Sequence, residues 1–397
     1  MDIVNKLMRG TSSVIPQEEF AEKIRSGKKL KIKFGCDPTS PGLHLGHAVV
    51  LSKLREFQDC GHEIIFLIGD FTARIGDPSG KSKTRPALSR EEIEQNAKTY
   101  FDQVGLILDT NKITIRYNSE WLDKLTGTRW LELCAKVTLA QIIEREDFAK
   151  RLANHQPIGF HELLYPIMQG YDSVALHADI ELGGNDQTFN LLMGRCLQEH
   201  FNQEPQAIMT LPLLPGLDGV EKMSKSLGNT IALTEEPDQV YGKLMSISDD
   251  LMWTYYAILL CKSAEEVAQF KADVAAGSAH PMALKKALAH AVVEKFWGKS
   301  QADAAQLTFE NLFQQRDLEY AQSVSFEKLG IVEGESAGIM DLLKKLVAVE
   351  SSGEARRLIQ AGAVSVDGSK ITDITKTMEV KKNSVIKVGK HRFYKIT

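Results

Sequence analysis

The run of residues 63–68 constrains the fold of this chain more than any other stretch. Its sequence, EIIFLI, is almost continuously apolar and lacks the apolar–polar alternation of a strand with one face in water. Such a run is typical of a strand buried on both faces, as in a parallel sheet covered by helices. Strand-like and helix-like segments alternate from Lys29 to about Leu214, with further strands expected at 30–34 and 113–117. The sequence therefore predicts a doubly wound α/β domain, in which ligands bind at the carboxyl ends of the strands.

Helices are expected between these strands. One spans 47–57, and a capping box at 89–92 begins another. Helical stretches then run from 128 to about 176, before a strand at 180–182.

Beyond Gly228 the strand signal disappears. Helices are expected at 237–260, 263–276 and 281–313, and a small-residue stretch around 333–338 predicts a linker. The tail then combines helices with short strands, which are expected at 338–349, 353–361, 363–368 and 385–396. The sequence thus predicts three domains, at 1–228, 229–332 and 336–397.

Composition excludes several classes of protein. Hydrophobic residues make up 43% and charged residues 25% of the 397 residues, as in an ordinary soluble protein. The N-terminus has no apolar run of signal-peptide length, and no stretch approaches the ~18 to 20 apolar residues of a membrane span. Five scattered cysteines without a C-x-x-C pair argue against a disulfide framework and a zinc site. We therefore expect a cytoplasmic protein with no metal site of its own and no membrane partner.

The charge is unevenly distributed along the chain. Residues 336–397 contain 12 Lys+Arg and 6 Asp+Glu, a balance of +6, whereas the first 335 residues contain 36 and 46, a balance of −10. A basic tail on an acidic body favours contact with nucleic acid through the tail.

Two short motifs, His44–His47 (HLGH) and Lys222–Ser226 (KMSKS), point to ATP. At the turn from a strand into a helix, two imidazoles place ring N–H donors beside a helix N-terminus that favours anions. Gly46 has no Cβ, so that a flat adenine can lie against the backbone. Two lysines on a mobile loop bring compact positive charges to phosphates. Each motif alone has an ordinary reading, a chance pair or a solvated loop, but their occurrence together predicts phosphoryl-transfer chemistry.

Four further polar motifs follow predicted strands or lie on a predicted helix. They are Gly35–Thr39, Gly76–Lys81, the set Tyr165, Gln169 and Asp172, and Gly183–Gln187. Taken alone, three of them read as turns with capping aspartates or solvated charges. The helical set differs, because spacings of four and three place a hydroxyl, an amide and a carboxylate on one face. Asp172 is either an exposed helix charge or part of a pocket, and polar groups on an otherwise apolar face favour the pocket.

With these motifs, the whole chain resembles the bacterial tyrosyl-tRNA synthetases, a family of class I aminoacyl-tRNA synthetases. The resemblance implies a Rossmann-like catalytic domain, an α-helical middle domain that binds near the anticodon, and a small α+β S-four-like RNA-binding domain. It implies tyrosine, tRNA(Tyr) and ATP with Mg²⁺ as reaction partners, and a homodimer formed through the segment from about 121 to 159. No tightly bound cofactor and no DNA partner are expected.

The resemblance also implies roles for residues at the matching positions. The catalytic set is Thr39, His44, His47, Lys81, Arg85, Lys222 and Lys225. The set that binds ATP or the adenylate is Asp37, Gly46, Gly184, Asp186 and Lys225. The set that binds tyrosine is Asp77, Asn118, Tyr165, Gln169, Asp172 and Gln187. Within the last set, Asp77 is expected at the α-amino group, Asp172 at the phenol, and Asn118 is the weaker candidate.

One position departs from the family. Two residues before Gly35 the family usually has a tyrosine that shares the substrate phenol with the aspartate, and here that place holds Lys33. Asp172 is therefore expected either to work with another partner, such as Asp70, or to read the phenol differently.

The tail resembles the S-four-like RNA-binding fold. A helix carrying Arg356 and Arg357 is expected to face RNA phosphate, with affinity that depends on salt. Other tail cations that widen this basic patch are Lys381, Lys382, Lys387, Lys390 and Arg392.

The implied reaction joins tyrosine to ATP, releases pyrophosphate, and passes the tyrosyl group to the 3′ end of tRNA. Two alternatives stay open at this point. A tryptophanyl-tRNA synthetase shares the fold and both ATP motifs, but it usually lacks the RNA-binding tail, and an indole has no need of Asp172. An inactive synthetase-like RNA-binding protein is the other alternative, against which the intact ATP motifs argue.

Overall fold

The computed structural model describes residues 2–38, 42–77, 90–315, 321–346, 348–349, 351–389 and 392–397. The chain forms two compact units. One consists of Met1–Thr234 with Ser248–Ser278, and the other of Glu235–Ile247 with Ala279–Thr397.

The first unit is built around a largely parallel sheet. Among the described residues its strands are β1 (Ser13–Ile15), β2 (Lys31–Cys36), β3 (Glu63–Ile68), β4 (Ile113–Tyr117), β5 (Ile180–Gly184) and β6 (Ala207–Leu211). They lie in the order β1-β6-β5-β2-β3-β4, and each neighbouring pair is parallel except β1 and β6. The chain order reverses between β2 and β5. In such a doubly wound sheet a ligand crevice lies at this point, outside the carboxyl ends of the strands.

The predicted strands of this sheet are confirmed. The run 63–68 forms β3, whose residues from Ile64 onward are all buried, and 113–117 forms β4. Phe34 of β2 lies opposite Phe66 of β3 in the parallel register. The short strand β1 was not predicted, because three residues carry too little periodicity to detect.

Helices cover this sheet and continue beyond it. In the described part of the chain they are α1 (Ile3–Met8), α2 (Gln17–Arg25), α3 (Leu45–Asp59), α4 (Arg90–Val104), α5 (Ser119–Leu122), α6 (Gly127–Cys134), α7 (Leu139–Ile143), α8 (Glu146–Ala153), α9 (Phe160–Leu176), α10 (Thr188–His200), α11 (Pro237–Met245), α12 (Asp249–Leu259), α13 (Ala264–Ala275), α14 (Pro281–Trp297), α15 (Lys299–Phe309), α16 (Phe326–Leu329), α17 (Ile339–Lys345) and α18 (Ser352–Gln360). None of the helices described is both long and apolar enough to cross a membrane.

Capping residues divide several of the predicted helices. The helical stretches predicted over 128–176 form four helices, and Thr138 begins the second of them by accepting the backbone N–H of Gln141. Gly298, at a φ of +92°, separates α14 from α15 within the predicted helix 281–313. The first residue of the capping box predicted at 89–92 lies outside the described residues.

The second unit ends in a small β-rich module. Its strands are β7 (Gln322–Val324), β8 (Ser336–Gly338), β9 (Val364–Val366), β10 (Ser369–Ile371), β11 (Thr377–Glu379), β12 (Val385–Val388) and β13 (Arg392–Ile396). One sheet has the order β10-β9-β12-β13-β7, and β11 pairs with β8. The stretch 333–338 is therefore not only a linker, because β8 occupies its end. The larger sheet begins at Gln322, before residue 336, where the sequence places the start of the last domain.

Candidate active site

The strand order brings most of the expected site residues to one edge of the sheet. Asp37 follows β2, Asp77 follows β3, Asn118 follows β4, and Asp186 follows β5. These four strands are parallel neighbours, so their carboxyl ends face the same crevice.

His44 and His47 form a fixed pair at the start of α3. Their rings lie 4.0 Å apart between centroids. The Nδ1 atom of His44 accepts the Gly46 backbone N–H at 3.2 Å, and the Nδ1 atom of His47 accepts the His44 backbone N–H at 3.2 Å. Each ring must therefore carry its proton on Nε2 when neutral, so both present an N–H donor.

Both imidazoles are neutral at physiological pH. Burial lowers the pKa of His44 to about 2 and that of His47 to about 4, and the nearby charge of Lys225 acts in the same direction. The pair therefore acts as two hydrogen-bond donors and not as two cations.

Gly46 has a structural role that the sequence did not indicate. A Cβ at this position would lie 2.9 Å from the ring of His44 and 3.7 Å from the Cβ of Met223. The absence of a side chain thus lets the His44 ring fold back over the helix start, in addition to the expected space for a flat base.

Backbone hydrogen bonds hold the lysine motif beside the histidine motif. Leu45 N donates to Ile231 O at 3.0 Å, and Leu233 N donates to Leu43 O at 3.0 Å. Within the lysine motif, Met223 N donates to Leu214 O at 2.8 Å. The two ATP motifs, distant in sequence, are therefore parts of one site.

Lys225 and Lys222 point to different parts of this site. The ammonium of Lys225 lies over Gly42, where a Cβ would come within 2.8 Å of Nζ. Lys222 instead makes an ion pair of 2.9 Å with Asp186, one of the residues expected to bind ATP or the adenylate. Lys225 lies near the histidines, whereas Lys222 is held by Asp186.

Asp37 is the centre of a second cluster. Its two carboxylate oxygens accept hydrogen bonds from the hydroxyls of Tyr165 at 2.8 Å and Thr72 at 2.7 Å. Burial and the charges of Asp37 and Asp77 raise the pKa of Tyr165, so that its hydroxyl stays protonated and donates.

Asp172 is buried at the far end of this cluster. Trp121 Nε1 donates to one of its carboxylate oxygens at 2.8 Å, and Asn118 Nδ2 donates to the other at 3.3 Å. Burial raises the pKa of Asp172 to about 7, although the charge of Lys33 and the two hydrogen-bond donors each lower this pKa. The alternative reading of Asp172 as an exposed helix charge is therefore wrong.

Asp70 is not a partner of Asp172 in this structure. Its carboxylate accepts the backbone N–H of Ser119 at 3.0 Å and the Ser119 hydroxyl at 2.6 Å. Asp70 thus fixes the start of α5, which carries Trp121.

Lys33 lies beneath the pocket and not in it. Its side chain is fully buried and pairs with Glu181 at 2.8 Å, the residue directly opposite it in the register of β2 and β5. The same ammonium donates to Ser173 Oγ at 2.8 Å and to the backbone carbonyl of Gln169 at 3.1 Å. Lys33 therefore binds the helix that carries Gln169 and Asp172 to the sheet.

Some of the remaining expected site residues are described by the structure, and the others are not. Gln187 Nε2 donates to Asp77 Oδ2 at 2.7 Å. A Cβ at Gly184 would lie 2.8 Å from the carboxylate of Asp186 and 2.8 Å from the side chain of Leu213, so this position has no room for a side chain. The expected catalytic residues Thr39, Lys81 and Arg85 lie outside the described residues.

The expected RNA-binding cations belong to the second unit. Arg356, Arg357, Lys381 and Lys382 are exposed, and Lys387 is half-buried. Arg392 makes intramolecular contacts, since it pairs with Glu354 at 3.1 Å and donates to the backbone carbonyl of Ala348. Lys390 lies outside the described residues.

Four residues that hold this site together were not predicted. They are Thr72, Gln103, Trp121 and Asn229. Asn229 accepts the backbone N–H of Ser224 at 2.8 Å and so fixes the lysine loop. The i, i+3 spacing of Asn118 and Trp121 was a signal for Trp121, whereas Thr72 and Gln103 contact residues that are distant in sequence, Asp37 and Leu43.

The chain matches two family models. Residues 25–314 match the model for tRNA synthetases class I (W and Y), and residues 323–396 match the model for the tyrosine–tRNA ligase SYY-like C-terminal domain.

Known proteins are similar over the full length. The tyrosine–tRNA ligase of Francisella tularensis is 49% identical over 391 residues, which is 98% of this chain and 97% of the relative. Tyrosine–tRNA ligase 2 of Vibrio cholerae is 49% identical over 393 residues, 99% of this chain and 97% of the relative.

Solved structures share the fold. The tyrosyl-tRNA synthetase of Archaeoglobus fulgidus complexed with L-tyrosine has a TM-score of 0.60 and 25% identity, covering 77% of this chain and 100% of that chain. The tyrosyl-tRNA synthetase of Aeropyrum pernix has a TM-score of 0.61 and 20% identity, covering 80% of this chain and 97% of that chain.

The ATP motifs, the full-length likeness and the matched C-terminal domain lead to one conclusion: this chain belongs to the tyrosine–tRNA ligase family of class I aminoacyl-tRNA synthetases.

Proposed function

We propose that this chain activates tyrosine with ATP to form tyrosyl-adenylate and pyrophosphate, and then transfers the tyrosyl group from the adenylate to the 3′ end of tRNA(Tyr), which releases AMP. The observation that carries the proposal is that two sites, one suited to phosphates and one suited to an amino acid, lie at the same edge of the sheet. Neutral histidine donors and Lys225 lie on one side, and a pocket with the buried carboxylate of Asp172 and the half-buried carboxylates of Asp37 and Asp77 lies on the other.

The first step needs no protein nucleophile. The tyrosine carboxylate attacks the α-phosphate, the bond to the β-phosphate oxygen breaks, and pyrophosphate leaves. Negative charge that builds on the phosphates is stabilised by the Nε2–H donors of His44 and His47 and by the ammonium of Lys225. From the sequence, Thr39, Lys81 and Arg85 are proposed to assist at the leaving phosphates.

The amino acid lies in the carboxylate pocket. Asp77 accepts hydrogen bonds from the α-ammonium group, with Tyr165 and Gln169 beside it, and Gln187 donates toward the substrate carboxyl group. Asp172 accepts the phenol hydrogen bond, held in orientation by Trp121 and Asn118. Because Trp121 and Asn118 already anchor this carboxylate, the pocket does not need a tyrosine at position 33.

ATP is proposed to bind with its adenine against Gly46 and its ribose at Gly184 and Asp186. Mg²⁺ is expected to enter with the phosphates, since this hard cation prefers phosphate oxygens and water to a protein cage. Binding of the ribose to Asp186 would release Lys222 from its ion pair.

Exchange of labelled pyrophosphate into ATP tests this proposal. We expect exchange that requires tyrosine and does not occur with tryptophan or phenylalanine. Tryptophan-dependent exchange, or no exchange with any of the three, would refute the assignment.

The exposed arginines of α18 support a role for the tail in binding tRNA. We propose that the helical region 229–332 binds near the anticodon of the tRNA, and that the module 336–397 binds RNA phosphate. Arg356→Ala with Arg357→Ala is expected to weaken tRNA binding and to reduce the slope of log affinity against log salt by about one per lost phosphate contact. Pyrophosphate exchange should stay unchanged, and Lys112→Ala, an exposed cation of the first unit, serves as control. An unchanged salt slope would contradict the RNA-binding role of α18.

Exposed apolar side chains support a homodimer through the segment 121–159. Leu131 is 73% exposed, Leu139 63% and Leu152 56%, and the adjoining Phe160 is 77% exposed. Such a group of exposed apolar residues is typical of an interface.

Phe160→Glu is expected to raise the dimer dissociation constant at least about thirtyfold, because a charge replaces an apolar anchor. Sedimentation over a concentration series measures this constant. The control is Val332→Glu, which changes an equally exposed residue, 72%, of the second unit. A dimer constant unchanged by Phe160→Glu, or a monomeric wild type, would contradict the proposal.

A further inference from the structure

Three hydrogen bonds connect Arg145, outside the site, to Asp77 within it. Arg145 Nη1 donates to Asn190 Oδ1 at 3.4 Å, Asn190 Nδ2 donates to Gln187 Oε1 at 3.0 Å, and Gln187 Nε2 donates to Asp77 Oδ2 at 2.7 Å. Arg145 directly precedes α8, Asn190 lies on α10, and the two residues are 5% and 1% exposed.

The two ends of this chain determine its polarity. A guanidinium group only donates hydrogen bonds, and a carboxylate only accepts them. The oxygen of Asn190 must therefore face Arg145, its NH₂ group must face Gln187, and the NH₂ group of Gln187 must face Asp77. Each amide has one orientation in which all bonds are made, and turning either one places two oxygens or two NH₂ groups against each other.

Arg145 is itself held rigidly. Its guanidinium makes two hydrogen bonds with Asp147, at 2.6 and 2.7 Å, and its central carbon lies 4.1 Å from the ring centroid of Phe148. A rigid, buried donor at one end is the condition for orienting the amides that follow it.

We propose that Arg145 and Asn190 are positioning residues for tyrosine activation, which fix the Gln187 amide so that it donates to Asp77. Neither residue touches substrate. The proposal rests on the proposed placement of the tyrosine α-amino group at Asp77. With the amide reversed, the oxygen of Gln187 faces the carboxylate, and Asp77 moves from the position in which it receives the substrate.

Asn190→Asp is the sharpest test, because it changes one donor into an acceptor with almost no change in shape. The new carboxylate keeps its partner Arg145 but can no longer donate to Gln187. We expect KM for tyrosine in pyrophosphate exchange to rise about tenfold, the effect of one lost hydrogen bond to a charged group. KM for ATP should stay within about twofold of wild type. Arg145→Met should act in the same direction, and Arg145→Lys should restore part of the affinity, since it keeps a donor.

Glu146→Gln is the matched control. It changes an exposed carboxylate next to Arg145 that pairs with Lys150 and takes no part in the hydrogen-bond chain, so it should leave KM for tyrosine nearly unchanged. Thermal melting of every variant shows whether folding is affected. Equal rises in KM for tyrosine and for ATP, an effect of Glu146→Gln as large as that of Arg145→Met, or wild-type kinetics of Asn190→Asp would overturn the proposal.

Asp77→Asn separates failure of this proposal from failure of the site. If Asp77→Asn raises KM for tyrosine and Asn190→Asp does not, the positioning role alone is refuted. If Asp77→Asn leaves tyrosine binding unchanged, the proposed placement of the amino acid fails and the positioning role fails with it.

Discussion

Replacing Asp172 with alanine is expected to remove most of the discrimination between tyrosine and phenylalanine, while ATP binding is spared. The carboxylate is buried and held by Trp121 and Asn118, so it is available to accept one more hydrogen bond, from the substrate phenol. A site that hydrogen-bonds a substrate hydroxyl discriminates against the analogue without it by a factor of about 10⁴ to 10⁵ in kcat/KM. This general figure comes from tyrosyl-tRNA synthetases themselves and does not follow from the present geometry. The ratio of kcat/KM for tyrosine and phenylalanine measures the effect.

The same residue predicts the pH dependence of tyrosine binding. Because the pKa of Asp172 is raised to about 7, its ionised fraction increases as the pH rises through neutrality. The phenol donates to the ionised form, so KM for tyrosine should fall between about pH 6 and about pH 8. Among the described residues, the other charged or titratable groups around this pocket include Lys33, Glu181, Tyr165, Asp37 and Asp77.

Asp70→Asn is the matched control for Asp172. It keeps an acceptor for the backbone of Ser119 and lies outside the proposed phenol site. A tyrosine-to-phenylalanine ratio that Asp172→Ala leaves unchanged, or that Asp70→Asn lowers as much, would remove Asp172 from phenol recognition.

Lys225→Ala is expected to lower the rate of adenylate formation by about 100- to 1000-fold, the usual effect of removing one donor to a transition-state oxyanion. KM for tyrosine should change little, because Lys225 lies over Gly42 beside the histidines and apart from the carboxylate pocket. Single-turnover measurement of adenylate formation separates this rate from product release. Glu221→Ala, an exposed position of the same loop, should retain the wild-type rate. Loss of tyrosine affinity with a normal rate would contradict the assignment.

Much of this enzyme was predictable because its chemistry is local in sequence. The strand 63–68 and the helical set Tyr165, Gln169 and Asp172 are short patterns, and each has the structure that its periodicity predicts.

Features that depend on strand register or on long loops were not predictable. The pairing of Lys33 with Glu181 follows only from the parallel alignment of β2 with β5. The pairing of β7 with β13 was not predicted for a similar reason, because the two strands lie about 70 residues apart in the sequence.

The pairing of Lys33 with Glu181 ties two positions together in evolution. Substitution of Lys33 alone by the tyrosine common in the family would leave Glu181 as an unpaired charge in the protein interior, at a cost of about 3 to 5 kcal/mol. Substitution of Glu181 alone would in the same way leave the buried ammonium of Lys33 without its partner carboxylate. A lineage can therefore pass between the two kinds of pocket only if both positions change nearly together, so residue 181 should record which pocket an ancestor used.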